Sequence, residues 1–468
     1  MPEWPENFCP NAESFNRSSF ALRRQGAWHI SDHTPCGGAR PPLTYNPLMP
    51  RILHILVLIL AGEMIFSLPF HTARFFRPTL LEAFGFSNTE LGDAFAVYGI
   101  MAMLAYFPGG ALADRFPARK LMSLSLLATA AGGLYMATFP GVLGISLLYG
   151  YWGLTTILLF WGSLIRATRD WGGRRSQGVA FGILDGGRGL VAAGFAMVTV
   201  TALSLYLPSG GLLDADIERR EGLRAVILLY TAVTAVCGII AWFLLPDPAE
   251  QEAEPGRRLL DAMSTVLRRP IVWAQAAVII CAYSAFKGLD NYSLYAVQVL
   301  GLDEVEAARL TAWASYLRPV AALLTGLAAD RFSAGRAIAV AFAALVLCYG
   351  MLALASPSPA WLPLIYANFF TSFFAAFALR GVYFALLEET GTPRRLTGAT
   401  VGAVSFIGFT PEIFFAPITG RILDQAPGLP GHQHYFLFLA GIALAGLGVM
   451  AWLFHLQQRR TKWQSSAR

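Results

Sequence analysis

Charged side chains stand inside the long apolar segments of this sequence, where they need either a partner or a function. An ionised group in the middle of a membrane helix costs roughly 2.5–3.5 kcal/mol on insertion scales. Four of these residues are acidic and four are basic, so that pairing among them would leave the interior neutral. They are Glu63, Asp185, Asp290 and Glu412, and Arg188, Lys287, Arg318 and Arg380.

Two kinds of chemistry suit such groups. The planar guanidinium group of arginine binds carboxylates and phosphates through paired hydrogen bonds, and the lysine ammonium group is a compact positive charge. A carboxyl group that is removed from water can exchange a proton near neutral pH, because desolvation disfavours its charged form. The acids therefore predict proton coupling, with Glu63, Asp185 and Glu412 as the candidate carriers.

Polar neighbours extend the predicted substrate site. Lys287, Asp290 and Asn291 fall on one face of their predicted helix, and Tyr98 offers a hydroxyl group to a polar ligand. The predicted substrate contacts are Arg188, Lys287, Arg318, Asp290, Asn291 and Tyr98. The alternative is that acids and bases pair across helices and only stabilise the bundle, with the tyrosine as ordinary packing.

Local spacing adds two expectations. Asp185 and Arg188 are three residues apart, so they share a helix face and can pair with each other. His71, Arg74 and Arg77 lie near the end of the first apolar segment. They predict either an entrance for the substrate or a solvated helix end.

Long apolar segments carry these charges. Of the 468 residues, 55% are hydrophobic and 14% are charged, whereas a soluble chain has about a quarter charged residues. About 20 apolar residues of helix cross a hydrocarbon layer ~30 Å thick, and on that basis the sequence predicts an all-α integral membrane protein with twelve transmembrane helices. They cover residues 52–77, 89–113, 119–138, 142–167, 176–205, 224–246, 271–300, 306–330, 336–356, 361–387, 396–423 and 435–457.

The twelve helices fall into two sets of six. The first 50 residues contain no apolar run and no cleavable signal peptide; they predict a disordered cytoplasmic tail, or sequence upstream of a true start at Met49. The predicted order is a tail at 1–50, a first bundle at 51–246, a cytoplasmic linker at 247–270, a second bundle at 271–458 and a tail at 459–468.

The basic residues form short clusters between apolar segments, which is typical of membrane-edge loops and not of nucleic-acid binding, despite the net charge of +6. Their bias to one side predicts an inner or plasma membrane protein with both termini in the cytoplasm.

The five cysteines are scattered and predict neither a disulfide framework nor a metal site. Without a nucleotide-binding motif or a catalytic constellation, we expect no enzyme and no cofactor. The expected partners of this monomer are a small-molecule substrate, lipids and a proton.

Two motifs occur once in each half of the chain. GALADRFPARK at 110–120 matches GLAADRFSAGR at 326–336, and RRSQGVAFG at 174–182 matches RRLTGATVG at 394–402. Both pairs fall between corresponding helices. Parallel repeats of this kind place a substrate site at the membrane midplane between the halves.

The first repeat resembles the loop signature of the major facilitator superfamily of secondary transporters. The matching residues are Gly110, Asp114, Arg115, Arg119 and Lys120, and in the second half Gly326, Asp330, Arg331 and Arg336. The second glycine of the signature is replaced by Pro117 and Ser333. The resemblance implies two pseudo-symmetric six-helix bundles, with these charges closing the cytoplasmic side. The alternative is that they only anchor helix ends in the headgroup layer.

Together, these features predict a secondary transporter that moves a polar, anionic organic molecule by alternating access with proton coupling. Arg318, on predicted helix 8, resembles the arginine of anion-porter branches of the superfamily. The glycine-rich stretch at 182–194 lacks the proline of the drug-antiporter signature. Three alternatives remain: an exporter of hydrophobic compounds, a lipid flippase or lysophospholipid carrier, and a sensor that does not transport.

Overall fold

The computed structural model describes residues 48–173, 177–207, 215–246, 265–389 and 397–466. Within these ranges the chain forms helices, turns and short connections, and no strand. The predicted tail up to residue 47 and most of the predicted linker, 247–264, lie outside the described residues. The paired arginines that begin the second repeat, at 174–175 and 394–395, lie outside them as well.

All twelve predicted segments coincide with helices. In chain order these are α1 (Leu48–Met64, continued by Ser67–His71 and Thr72–Phe75), α2 (Asn88–Arg115), α3 (Ala118–Met136), α4 (Val142–Gly172), α5 (Gln177–Ser204), α6 (Ala215–Leu244), α7 (Pro270–Gln298), α8 (Glu304–Ser315 and Leu317–Arg331), α9 (Ala334–Leu354), α10 (Leu362–Val382), α11 (Thr397–Gly408 and Pro411–Gln425) and α12 (Leu429–Ser466). Two short helices, Arg77–Phe84 and Leu386–Glu389, follow α1 and α10.

The helices have the length and surface of membrane spans. In the described part of the chain, eight are long and apolar enough to cross a membrane, and ten if each of two bent pairs is one span. Large apolar side chains such as Leu205 and Leu354 are 78% and 85% exposed. Such exposure is expected for a surface that faces lipid, because no water contacts it there.

Several helices are broken where the sequence predicts continuous ones. In α1 a π-helical turn at Ser67–His71 contains Pro69, and the axis bends there by 42°. The breaks in α8 and α11 lie close to Pro319 and Pro411. Proline cannot donate the helical hydrogen bond and clashes with the preceding turn, which accounts for these breaks.

Two boundaries correct the predictions. The sixth helix begins at Ala215 and not near 224, because Asp216 and Glu218 in its first turn favour a helix N-terminus. The last helix continues to Ser466, so most of the predicted tail at 459–468 is helical.

The two sets of six helices meet most closely where α2 packs on α11. A Cβ atom added at Gly92 would lie 2.5 Å from the carbonyl oxygen of Ala416, and one at Gly99 would lie 2.6 Å from the backbone of Glu412. Only glycine lets the backbones approach so closely. The contact continues to Gly420, which packs against the backbone of Asn88 at the start of α2.

Polar interactions between the two sets accompany this contact at one end of the bundle, which we call the closed end. Asp424 accepts hydrogen bonds from the backbone N–H groups of Asn88 (3.1 Å) and Thr89 (2.7 Å). The other interactions are the ion pairs Arg421–Asp93 at 2.8 Å and Arg219–Glu304 at 2.8 Å.

Candidate functional site

A cavity of about 130 Å³ lies between the two sets of helices. Its wall is built by α1, α2, α4 and α5 of the first set and by α7, α8, α10 and α11 of the second. Five basic side chains line it: Arg74, Arg188, Lys287, Arg318 and Arg380. The two acidic side chains on the wall are Glu63 and Glu412. The wall therefore carries an excess of positive charge.

Glu63 lies at the centre of one ionic network. Its carboxylate accepts a hydrogen bond from Nη1 of Arg318 at 3.2 Å and lies 3.2 Å from Nε2 of His71. Nε of Arg188 is 2.9 Å from the other carboxylate oxygen, without hydrogen-bond geometry. Arg318 also donates to Asp185 at 2.8 Å. Since Arg318 belongs to the second set of helices and both acids to the first, this network joins the two halves.

Lys287 lies at the centre of a second network. Its ammonium nitrogen is 3.2 Å from Asp290 and 3.4 Å from Glu412. Asp290 also accepts a hydrogen bond from Nε of Arg74 at 2.6 Å, which again joins the halves. The hydroxyl group of Tyr283 donates a hydrogen bond to Glu412.

The predicted pair of Asp185 and Arg188 is not formed. Each of them instead contacts a residue on another helix: Asp185 pairs with Arg318, and Arg188 lies next to Glu63. Sharing a helix face permits a pair, but the closer partners across helices satisfy both charges. By contrast, Lys287 and Asp290 do pair within α7.

Three predicted site residues are not among those that line the cavity. Asp185 and Asp290 are instead the ion-pair partners of Arg318 and Arg74. Asn291 turns away from the cavity, and its amide donates to the hydroxyl group of Tyr435 on α12 at 3.3 Å. The reason is local: residues 289–291 form a 3₁₀ turn, so Asn291 leaves the face that it would share with Lys287 in a regular α-helix.

Aromatic side chains form much of the remaining wall. Tyr98 lines the cavity, as the predicted site requires, although its hydroxyl group already hydrogen-bonds that of Thr156 at 2.8 Å. Lys287 lies over the ring of Phe70 at 4.3 Å, and Phe286 is contacted by two guanidinium groups. A ligand in this cavity would therefore meet both charges and aromatic faces.

Two residues of the cavity wall, His71 and Arg74, belong to the group that the sequence analysis placed near the end of the first helix. His71 and Arg74 are only 4% and 8% exposed and line the cavity, and Arg77 beside them is buried, so the prediction of a solvated helix end is wrong. Pro69 is the sequence signal for this inward position, because the bend at this proline directs the end of α1 inward. Nδ1 of His71 is buried and has no hydrogen-bond partner among the described residues.

Arg380 differs from the other basic residues of the wall. Among the described residues it has neither an acidic group within 4.0 Å nor a hydrogen bond; its guanidinium carbon lies 4.2 Å from the ring centroid of Phe286. The sequence placed it inside α10 but gave no reason to separate it from the paired charges.

The predicted gating residues lie at the end opposite to the closed end. No atom lies within 4 Å of a Cβ placed on Gly110 or on Gly326, so neither glycine makes a close helix contact here. The charged residues of these motifs are exposed or half-buried: Asp114, Arg115, Arg119, Lys120, Asp330, Arg331 and Arg336. The ion pairs and hydrogen bonds found between described residues do not join the two halves at this end. Their gating role remains a prediction.

One protein family and several individual proteins are similar to this chain in sequence. The family model described as Major Facilitator Superfamily matches residues 59–416. Inner membrane proteins YqcE and YihN of Escherichia coli (strain K12) are 26% and 27% identical to the chain, over 88% and 87% of it and 96% of each of them. A probable nitrate/nitrite antiporter, NarK1 of Thermus thermophilus, is 30% identical over 58% of this chain and 59% of its own.

Solved structures share the fold at low identity. A bacterial homolog of the human lysosomal transporter Spinster, inward-facing and unoccupied, aligns with a TM-score of 0.65 at 14% identity, over 89% of this chain and 98% of that chain. The nucleoside transporter NupG aligns with a TM-score of 0.63 at 14% identity, over 87% and 98%.

Proposed function

The chain belongs to the Major Facilitator Superfamily, and on that basis we propose that it moves a polar organic anion across the inner membrane by alternating access, coupled to protons. As a member of this family it is a membrane transporter and not an enzyme. The two bundles, at 51–246 and 271–458, are the bodies that rock against each other around the cavity.

The observation that carries the anionic substrate is the charge at the cavity: five basic side chains face two acidic ones on the wall, and the two further acids that contact these bases, Asp185 and Asp290, still leave one positive charge in excess. Removing this excess positive charge from water is costly unless an anion balances it. Arginine is also suited to bidentate binding of carboxylates. The aromatic side chains among these charges, such as Phe286, favour an organic anion over a purely inorganic one.

Glu412 is the favoured proton carrier among the three predicted acids. Protonation of Glu63 would break its pairs with Arg188 and Arg318 at once, and protonation of Asp185 would weaken the contact with Arg318. Glu412 has one ionic partner, Lys287 at 3.4 Å, and Lys287 keeps Asp290 if Glu412 becomes neutral. Loss of this single charge therefore disturbs the site least.

The positions of the basic loops also indicate which end of the bundle faces the cytoplasm. The basic loops around Arg115, Arg331 and Arg336 lie at the end opposite to the closed end, and the positive-inside rule assigns them to the cytoplasm. On this assignment the closed end faces outward and the conformation is inward-facing.

Uptake into proteoliposomes tests the function. We expect accumulation of at least one member of a panel of organic carboxylates and phosphates, driven by a pH gradient. Loss of uptake in Arg188→Ala, Lys287→Ala and Arg318→Ala would support the site, with Arg309→Ala, an exposed arginine on α8, as control. Selective uptake of uncharged apolar compounds or of lipids would instead support the exporter or flippase alternatives, and uptake of nitrate alone would refute an organic substrate.

Proton coupling has its own test. Glu412→Gln keeps a hydrogen-bond acceptor for Tyr283 but cannot exchange a proton. We expect this variant to exchange substrate across the membrane at equilibrium while it no longer accumulates substrate under a pH gradient. Accumulation at the wild-type level would remove Glu412 from the mechanism, and accumulation by wild type without any gradient would refute proton coupling itself.

A further inference from the structure

The charged side chains at the cavity do not balance. The wall has five basic residues, and four carboxylates stand on it or within 4.0 Å of one of these bases: Glu63, Asp185, Asp290 and Glu412. With all four carboxylates ionised and His71 neutral, the group carries a net charge of +1. An unbalanced charge in a site of low dielectric constant costs free energy.

The unbalanced charge can be assigned to one side chain. Arg74, Arg188, Lys287 and Arg318 each lie within 4.0 Å of a carboxylate. Arg380 is the basic residue of the wall without such a partner among the described residues, and it lies against the ring of Phe286. Arg380 is half-buried and borders the cavity, so its hydrogen-bond donors remain available to a ligand.

We infer that Arg380 is the anchor for the anionic group of the substrate, and that the site is matched to an organic monoanion. This inference rests on the proposed transport of an anion and makes it more specific. A monoanion on Arg380 brings the net charge of the site to zero without breaking any internal ion pair. A dianion would leave a net negative charge, and a neutral ligand would leave the arginine unpaired.

The first experiment needs no known substrate. Arg380→Gln removes an unpaired charge, so the purified, ligand-free variant should unfold at a Tm higher than wild type, by about 2 °C or more. Arg380→Lys keeps the charge and should stay close to wild type, as should Arg309→Gln on the surface. A Tm for Arg380→Gln that is lower than that of both controls would show that Arg380 is internally paired, and would overturn the inference.

The second experiment measures ligand charge with three probes of one skeleton: benzoate, phthalate and benzyl alcohol, a monoanion, a dianion and a neutral compound at neutral pH. Benzoate should raise the Tm of wild type more than the other two do. Its apparent affinity should fall by roughly thirtyfold or more in Arg380→Gln and be partly kept in Arg380→Lys. Equal protection of wild type and Arg380→Gln, stronger protection by phthalate, or no protection by benzoate would each overturn the inference.

Uptake assays separate this inference from the proposed function. If organic anions are transported and Arg380→Gln transports them as well as wild type does, the anchor is wrong while the function stands. If benzoate binding depends on Arg380 but no organic anion is transported, the anion site stands and the transport proposal fails.

Discussion

Arg318 connects the two halves of the molecule through side chains alone. It lies on α8 of the second bundle and contacts Glu63 on α1 and Asp185 on α5 of the first. It is 6% exposed, so its charge is largely withdrawn from water and depends on these partners. This network has to rearrange when the two bundles move against each other.

Removal of Arg318 should therefore destabilise the protein. In Arg318→Gln the carboxylates of Glu63 and Asp185 lose a buried partner, for which we expect a loss of about 3–5 kcal/mol. Adding Asp185→Asn removes the carboxylate that loses its ion-pair partner in Arg318→Gln, so the double variant should be more stable than the sum of the single effects predicts, by about 0.5–3 kcal/mol. Unfolding of the purified variants measures this coupling, and strict additivity of the two effects would contradict it.

The contact between α2 and α11 depends on glycine at regular positions of both helices. Gly92, Gly99 and Gly420 each face the backbone of the opposite helix, where a methyl group has no room. Because the obstacles are backbone atoms, side-chain rotation cannot relieve the clash. The helices form a rigid contact at the closed end, which also sets the distance between Glu412 and the rest of the cavity.

We expect Gly92→Ala to separate α2 from α11 and to shift the protein towards a state that is open at this end. Ser293 is buried there, and its hydroxyl group donates to the backbone oxygen of Arg74 across the two halves. A cysteine at position 293, in a background without other reactive cysteines, should be alkylated faster in this variant. Gly441→Ala on α12, where the added Cβ meets no atom within 4 Å, is the matched control. An unchanged alkylation rate would argue against a gating contact.

Asp424 stabilises the same end by a different interaction. Its two carboxylate oxygens accept the backbone N–H groups at the start of α2, where the helix dipole favours a negative charge. Asp424→Asn loses the charge and one acceptor, for which we expect about 1 kcal/mol, by analogy with the loss of a helix cap. Alkylation at position 293 should then accelerate roughly fivefold. No acceleration would mean that the glycine contact alone holds this end.

At the level of the whole molecule, the interactions that join the halves through described residues are concentrated at one end and in the middle. The described residues at the opposite end include Gly110 and Gly326, whose surroundings are open. If the bundles rock about the cavity, these glycines and the charges that follow them, Asp114 and Asp330, should form the contact between halves in the alternate state. This is the gating role that the motif predicts.

Fixing the closed end should stop transport. Asp93→Cys and Arg421→Cys place two thiols where an ion pair of 2.8 Å now joins α2 to α11. Joining them with a short, reducible bifunctional reagent should abolish uptake, and reduction should restore it. The same reagent on Glu221→Cys and Arg224→Cys, an i,i+3 pair within α6, should leave uptake intact. Uptake by the fully cross-linked α2–α11 variant would exclude alternating access through this end.

The sequence determined the helical segments, the membrane class, the repeat and most of the ionisable residues at the site, because hydrophobic periodicity and charge inside an apolar segment are local properties. It did not determine the breaks near Pro69, Pro319 and Pro411, since the sequence gives no measure of how far a proline bends a packed helix. For the same reason the inward position of His71 and Arg74 was not predicted.

Only the tertiary structure decided which charges are paired. Spacing favoured Asp185 with Arg188, whereas helix packing gave each of them a nearer partner on another helix. The rotation of a helix about its axis and its distance from its neighbours depend on contacts along the whole chain, such as the glycine contact between α2 and α11. That is why Asn291 left the predicted site. It is also why Arg380 was recognised only from the structure as the basic residue of the wall with no carboxylate within 4.0 Å among the described residues.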